Sequence, residues 1–381
     1  MDFTLSSEHE LVRQTAREFA RDHLAPGVME RDEAARFPAE QVKMMGDLGF
    51  MGIMTPEAYG GAGMDALSYV IAMEEIARVD ASAAVIMSVN NSLVIQIFLD
   101  WASDEQKAAY LPKLATGEWI GGFSLSEPQS GSDASNMRTY ARKEGHEYVI
   151  NGTKNWVTNG INSNLVILFC LTTKGIGYKG ISAFIVEKGT PGFTTGEKED
   201  KLGIRGSDTC ELYFQDCRVP EANRIGQEGD GFRIAMHTLN GGRIGIAAQA
   251  LGIAQAALDH SVSYAKERKQ FGRTLAEFGA IQSKIARMAT EVDASRLLVH
   301  RAAFLKDQHQ TYIKEAAMAK LYASRTAMQA ARECVQIHGG YGYMQEFGVE
   351  RLMRDAKITQ IYEGTSEIQE LVIAREILKN S

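Results

Sequence analysis

The sequence predicts an α+β multidomain chain in three parts: helices, then a β domain, then helices again. Three observations carry this. Apolar residues recur at helical period through the first ~115 residues. From about Trp119 the pattern changes to short strand-like runs broken by glycines, and long amphipathic segments return after Gly231. At ~150 residues per domain, a chain of 381 residues holds two or three domains. The expected boundaries are 1–117 for an N-terminal helical domain, 118–228 for a middle β domain and 229–381 for a C-terminal helical domain.

Taken in order, Ser7-x-x-Glu10 reads as a capping box opening a helix with Leu11, Val12, Thr15, Ala16, Phe19 and Ala20 on one face, closed by Pro26. Pro38–Leu48, Ala66–Val79, Ser82–Trp101 and Asp104–Ala115 read as further helices. In the middle part, Tyr148-Val149-Ile150, Asn151-Gly152 and Thr153-Lys154-Asn155-Trp156-Val157 predict a hairpin turning at Asn-Gly. Leu165–Leu171, Ile181–Glu187 and Glu211–Phe214 read as strands. Gly175 to Gly180 matches G-x-G-x-x-G, but a strand pattern follows it instead of the helix that dinucleotide binding needs, so it reads as a loop. Ile234–Gln270 is rich in glycine and alanine, and Leu275–Asp307 and Ile313–His338 are amphipathic, with Gly339-Gly340 as a stop.

Composition narrows the function classes. A net charge of -7 with no basic run argues against a nucleic-acid partner. No apolar run stands out as approaching the ~18 residues of a membrane span. The N-terminus shows neither a signal nor a transit pattern, so a cytoplasmic protein is expected, or a mitochondrial one if a presequence has been removed. Cys170, Cys210, Cys217 and Cys334 are scattered and read as buried thiols, and the histidines form no ligand-spaced cluster, so no metal site is expected. No G-x-S-x-G elbow is present.

Four segments carry candidate chemistry. Tyr362-Glu363-Gly364-Thr365-Ser366-Glu367 places a lone carboxylate just before a helix, with Ser366 and Gln369 in a capping pattern. Such an acid is usually solvated beside a favourable helix N-terminus. In an apolar pocket its pKa would rise and it would serve as a base near neutral pH. Ser124 to Asp133 packs hydroxyls, glycine and proline into a loop suited to a heterocycle or phosphate, or to a plain turn. Trp156 and Thr158 share one face of a strand, suiting a flat ring or a core. Arg268 to Arg273 follows a long helix, where cations are favoured by the dipole and arginine grips phosphate well.

Together these segments resemble the acyl-CoA dehydrogenase family of flavoproteins, along essentially the whole chain. The resemblance rests on Leu-Ser-Glu-Pro-x-x-Gly-Ser-Asp at 125–133, Trp-Val-Thr-Asn-Gly at 156–160, Gly-Gly-Arg-Ile-Gly-Ile-Ala-Ala-Gln-Ala-Leu-Gly at 241–252, Arg-x-x-Phe-Gly at 268–272, Gly-Gly-Tyr-Gly at 339–342 and Tyr-Glu-Gly-Thr-Ser-Glu at 362–367. The short-chain, butyryl-CoA-like branch is the most similar. The resemblance implies a C-terminal four-helix-bundle domain forming the core of a homotetramer, with FAD between the β domain and the C-terminal helices and partly across a subunit boundary. It implies flavin contacts from Phe123, Leu125, Ser126, Gly131, Ser132, Trp156, Val157 and Thr158. The remaining dinucleotide contacts would be Arg268, Phe271, Gln336, Ile337, His338, Gly339, Gly340, Thr365, Ser366 and Glu367. Ser132, Asn240, Gly241, Gly242, Arg243, Tyr362 and Gly364 would border the acyl-CoA.

By the same resemblance Glu363 is the catalytic base. It takes the α-proton of the thioester while the β-hydrogen leaves as hydride to flavin N5. A flavin ribityl hydroxyl and the Glu363 backbone N–H stabilise the enolate-like oxygen, and burial by substrate raises the Glu363 pKa. An electron-transfer flavoprotein takes up the electrons. The isovaleryl-like branch supplies its base from the helix near 242, which here is Gly242. The glutaryl branch carries an arginine where 81–89 has no cation, which favours an apolar tail. Gln129, Asn240 and Gly279 depart from the family pattern, and with them a cyclic or aromatic acyl group becomes an alternative to a short chain. The other alternative is an enoyl-CoA reductase running the same chemistry in reverse.

Overall fold

A computed structural model describes residues 4–379. The N-terminal part contains α1 (Ser7–Phe19), a π-helical turn Ala20–Leu24, α2 (Val28–Glu33), α3 (Ala39–Asp47), α4 (Ala66–Ala77), α5 (Ala81–Ser88), a π-helical segment Val89–Ile95, α6 (Gln96–Trp101) and α7 (Asp104–Ala115). The middle part contains β1 (Gly121–Ser124), β2 (Tyr140–Glu144), β3 (Glu147–Thr158), β4 (Leu165–Leu171), β5 (Ile181–Glu187), β6 (Phe193–Lys198), β7 (Thr209–Pro220) and β8 (Arg224–Ile225). They form one eight-stranded sheet in the order β6-β7-β3-β2-β4-β5-β8, with β1 also paired to β4. β1 and β2 run parallel to β4, and the remaining pairs are antiparallel. The C-terminal part contains α8 (Gly231–Glu267), a small ribbon of β9 (Lys269–Gln270) and β10 (Arg273–Thr274), then α9 (Gly279–Asp307), α10 (Ile313–His338), α11 (Val349–Ile358) and α12 (Ser366–Lys379). The α–β–α order expected from the sequence is therefore the observed one.

Packing follows from the small residues of α8. A Cβ at Gly252 would stand 2.4 Å from the Glu74 carbonyl, so glycine is what lets α4 cross α8 at backbone contact. α10 packs on α8, α9, α11 and α12, which makes it the central rod of the helical part. One apolar cluster runs from the N-terminal helices through one face of the sheet into α8, α9 and α10. A second fills the other face with residues such as Tyr148, Val157, Phe184 and Phe214.

Four expectations are corrected. Asn151-Gly152 is no hairpin turn: β3 runs straight through it, and the reversal lies at Gly145-His146 between β2 and β3. The Asn-Gly pair is a bulge, with the register against β7 shifting between Ile150 and Gly152 and Asn151 tied to Asp216 by bonds of 2.9 and 3.0 Å. Gly152 has φ +151° and a Cβ there would stand 2.4 Å from the Thr139 hydroxyl, so the glycine serves close approach rather than a turn. Ser6 rather than Ser7 caps α1, accepting from the His9 N–H at 3.2 Å. The segment Ala81–Trp101 is apolar enough and long enough to cross a membrane, contrary to the reading of the sequence, but 89% of its most apolar window is buried inside the protein. It also winds as π-helix through Val89–Ile95 instead of one uniform α-helix. The G-x-G-x-x-G segment is a loop with a short 3-10 turn joining β4 to β5, as expected. All four cysteines are buried free thiols.

Candidate active site

Glu363 sits in the loop between α11 and α12. Its backbone is left-handed, φ +53°, and is followed by Gly364 at φ +95°. A glutamate held in that region is strained, and the surroundings hold it there. α11 is fixed from below: the Ile204 N–H donates to Asp355 at 2.5 Å, Arg351 donates to the Val79 carbonyl at 2.8 Å, and Arg354 donates to Asp32 at 2.6 Å. These bonds join α11 to the loop between β6 and β7 and to the N-terminal helical part, so the loop that follows is placed by all three parts of the chain.

The cap of α12 differs from the expected one. Thr365, not Ser366, is the cap, its hydroxyl accepting from the Ile368 N–H at 3.4 Å. Gln369 does not reach an N–H. Its side-chain amide donates backwards to the Gly364 carbonyl at 2.8 Å and the Glu363 carbonyl at 3.3 Å. Lys320 of α10 donates to the same Gly364 carbonyl at 2.6 Å. Two buried donors therefore hold the Glu363–Gly364 backbone. Among the described residues the Glu363 N–H donates to no protein acceptor, which leaves it open as an oxyanion donor.

The carboxylate itself is unpaired. Glu363 as a residue is half-buried, yet its Oε2 is sealed from solvent and has no hydrogen-bond partner. Burial raises its pKa to about 7, against the opposing pull of Lys320 and then Arg243. Lys320 is fully buried, and burial lowers its pKa to about 8. Arg243 donates to Asn240 at 2.8 Å, and its Nε is buried without a partner. Gly242 faces the acid: a Cβ there would stand 2.1 Å from Glu363 Oε2 and 2.8 Å from Leu93. Tyr362 donates to Gln249, which in turn donates to the Ala81 carbonyl at 2.8 Å. Gly241 faces the other way: a Cβ there would stand 3.6 Å from the Lys306 ammonium.

The sequence-derived flavin contacts lie across the π-helical segment from this acid. A Cβ at Gly121, the first residue of β1, would stand 2.5 Å from Val94, next to the Leu93 that reaches Gly242. Phe123 is half-buried against Phe169, Leu125 is buried, Ser126 is half-buried and Gly131 and Ser132 are exposed. Trp156 is 58% exposed with φ +55°, at a second bulge of β3 between Lys154 and Val157. Val157 turns its side chain into the sheet core, leaving only its backbone for a ligand, while Thr158 is half-buried. Beneath this loop Glu127 and Lys154 are buried together at 2.9 Å. Glu127 also accepts from the Arg138 and Thr139 N–H groups and from the Gln129 side chain at 2.7 Å.

Arg268, Ile337, His338, Gly339 and Gly340 meet elsewhere, around a cavity of about 420 Å³ that Tyr264 and Tyr341 also line. Arg268 stacks over Tyr341 at 5.2 Å, Gln336 is exposed, and Phe271 is 94% exposed with φ +53°. Thr365, Ser366 and Glu367 stand at the N-terminus of α12. Gly242 and Glu267 are separated by about 38 Å of helix axis. Within one protomer the two groups of residues therefore lie toward opposite ends of α8.

Three residues that matter here were not singled out in the sequence, Lys320, Glu127 and Lys154, and Gln369 was read there only as a cap. Lys320 carried a signal, since it interrupts the apolar stripe of Ala316, Ala319, Ala323 and Ala327 on α10.

Residues 229–378 match the acyl-CoA dehydrogenase C-terminal domain, 6–118 the N-terminal domain and 122–217 the middle domain of the same family. The chain is 51% identical over 379 residues to the short-chain specific acyl-CoA dehydrogenase of Clostridium acetobutylicum, covering 100% of both chains. It superposes on butyryl-CoA dehydrogenase from Megasphaera elsdenii with a TM-score of 0.98 at 46% identity, covering 99% of this chain and 100% of that one. It also superposes, with a TM-score of 0.98 at 48% identity and full coverage of both, on a chain in the structure reported for the electron transferring flavoprotein of Acidaminococcus fermentans.

Proposed function

Since the chain belongs to the acyl-CoA dehydrogenase family, we propose that it dehydrogenates a short acyl-CoA thioester at the α and β carbons, with Glu363 as the base. The observation that carries this is the unpaired, sealed Oε2 of Glu363, whose pKa of about 7 makes it a proton acceptor at neutral pH.

The protein is an FAD-dependent oxidoreductase acting on a CH–CH bond. The residues fit the cofactor: Trp156 offers an exposed ring face, and Gly131, Gly339 and Gly340 face open space where a Cβ would meet nothing. Phe123, Ser126, Ser132, Trp156 and Thr158 would hold the flavin end. Arg268, Phe271 and 336–340 of a second copy would hold the phosphates and adenosine, in line with the length of α8. Bound FAD supplies the two-electron acceptor for the β-hydrogen.

The chain's own part is to orient the thioester, exclude water and move one proton. Gly242 leaves the room in which the α-carbon meets the acid, since any side chain there would displace the carboxylate. The free N–H of Glu363 donates to the thioester oxygen as charge develops on it, and the Glu363 carboxylate takes the α-proton. The strained left-handed backbone aims donor and base at the same substrate. Arg243 and Asn240 border the acyl-CoA one turn away. The same groups serve in reverse, with Glu363 returning the proton, and the potential of the partner sets the direction. The solved relatives support an electron-transfer flavoprotein as that partner, and the family supports a homotetramer.

Anaerobic addition of butyryl-CoA to the purified flavoprotein tests this reading. The 450-nm flavin band is expected to bleach within seconds at about pH 8, a rate in the ordinary range of enzyme turnover. A flavin band that stays intact with short acyl-CoA thioesters contradicts the proposal.

A further inference from the structure

Lys320 is fully buried in the middle of α10, on the face that packs beneath the Glu363 loop. A buried ammonium is costly unless it is bonded and placed beside opposite charge. Its one described hydrogen bond is to the Gly364 carbonyl at 2.6 Å, the carbonyl that Gln369 also engages at 2.8 Å. No carboxylate lies within ion-pair distance of it among the described residues. An apolar residue would suit the alanine stripe around position 320 better, so the ammonium is there for the loop above it rather than for the helix.

Resting on the assignment of Glu363 as base, we propose that Lys320 is its positioning residue: the ammonium holds the Gly364 carbonyl, and through it the left-handed Glu363–Gly364 turn, and places a positive charge near the carboxylate. The groups around Glu363 fit this role. Lys320 faces it from α10, Arg243 from α8, Tyr69 from α4 and Tyr362 from its own loop, and Glu367 on α12 acts on Lys320 from the far side. Both tyrosines are held neutral, their pKa values raised chiefly by burial. The cations are thus what opposes the burial of Glu363, with Lys320 the stronger of the two. The same contact couples geometry to charge. A Gly364 carbonyl released from Lys320 loosens the left-handed Glu363–Gly364 turn that sets the direction of the Glu363 side chain and N–H.

The test is the pH dependence of anaerobic flavin bleaching by butyryl-CoA in the FAD-loaded protein, parent against Lys320→Gln, Lys320→Met and Lys320→Arg. Gln keeps a donor to Gly364 without charge, Met removes both, and Arg keeps the charge. The acid limb is expected to move upward in Gln and Met by about one pH unit, a tenfold loss of rate at low pH. FAD content is expected to stay at the parent level. Arg is expected to restore the limb. Should Met fail to fold, the comparison of Gln with Arg still decides. A Gln variant that retains FAD and gives the parent profile overturns the proposal and leaves Lys320 a structural residue. The Glu363→Gln protein measured beside them separates the two readings: if it keeps the parent's acid limb, the assignment of the base fails, whatever Lys320 does.

Discussion

At the scale of the residue, the decisive contrast is between Glu363 and Glu127. Both are buried carboxylates. Glu127 has a lysine at 2.9 Å and two backbone donors, and its pKa is lowered despite burial. Glu363 has two cations at a distance and no donor on Oε2, so burial wins. Its stability linkage has a definite sign. The folded pKa of about 7 lies above the ordinary 4.5, so between those values the native state binds more proton than the unfolded chain. Stability contributed by the protonated acid is present below about pH 4.5 and is lost as the pH rises through about 7, amounting to roughly 3 kcal/mol above it. Glu363→Gln, which cannot ionise, is therefore expected to melt at a higher temperature than the parent at pH 8 and at nearly the same temperature at pH 5, read by thermal unfolding of the FAD-free proteins. Glu363 was legible as a candidate because the motif around it is dense in special residues. Lys320 was not singled out, since one cation in an alanine-rich helix passes for an ordinary surface charge until the helix is packed.

At the scale of the element, local signals located the long helices and the strands β3, β4, β5 and β7, missed the shorter β1, β2, β6 and β8, and misplaced some fine structure. Tandem hydroxyls explain two of the errors. In Ser6-Ser7 and Thr365-Ser366 the first residue takes the cap, because it alone has left the helix: Ser6 is extended, with ψ 163°. In Asn151-Gly152 a strong turn signal loses to tertiary context. β7 pairs along β3 on both sides of it, so a bulge satisfies the backbone where a turn would break the ladder. The π-helical Val89–Ile95 left no mark in the periodicity because every residue of it is buried. The flavin-side loop is an element whose order depends on one ion pair. Lys154→Met removes the counter-charge of Glu127 and strands it in the interior, which costs about 3–5 kcal/mol. The variant is expected to lose that much stability in urea titration of the FAD-free protein and to release FAD during gel filtration. Full FAD retention with parent stability contradicts this account of the loop.

At the scale of the whole molecule, the α–β–α order was legible because each part has its own period and composition. The split of the cofactor contacts between subunits came only from the family resemblance, since the residues themselves give an order along the chain but no distance between them. The length of α8 sets Arg268 and Phe271 far from the Glu363 of their own chain, which supports the proposal that they serve another copy of the site. Arg268 is half-buried over Tyr341, so Arg268→Ala is expected to lower the stability of the FAD-free protein by no more than about 1 kcal/mol. It is also expected to weaken FAD binding about tenfold, measured by fluorescence as FAD is added back. Parent FAD affinity would place the phosphates elsewhere. All of this converges on one carboxylate, placed by three domains and kept unpaired. The most direct test is stopped-flow reduction of the flavin by butyryl-CoA, parent against Glu363→Gln, at pH 8 without oxygen. Removal of a general base is expected to slow reduction by about 10²–10⁴-fold while FAD and acyl-CoA stay bound. Reduction at the parent rate would contradict the assignment of Glu363 as the base.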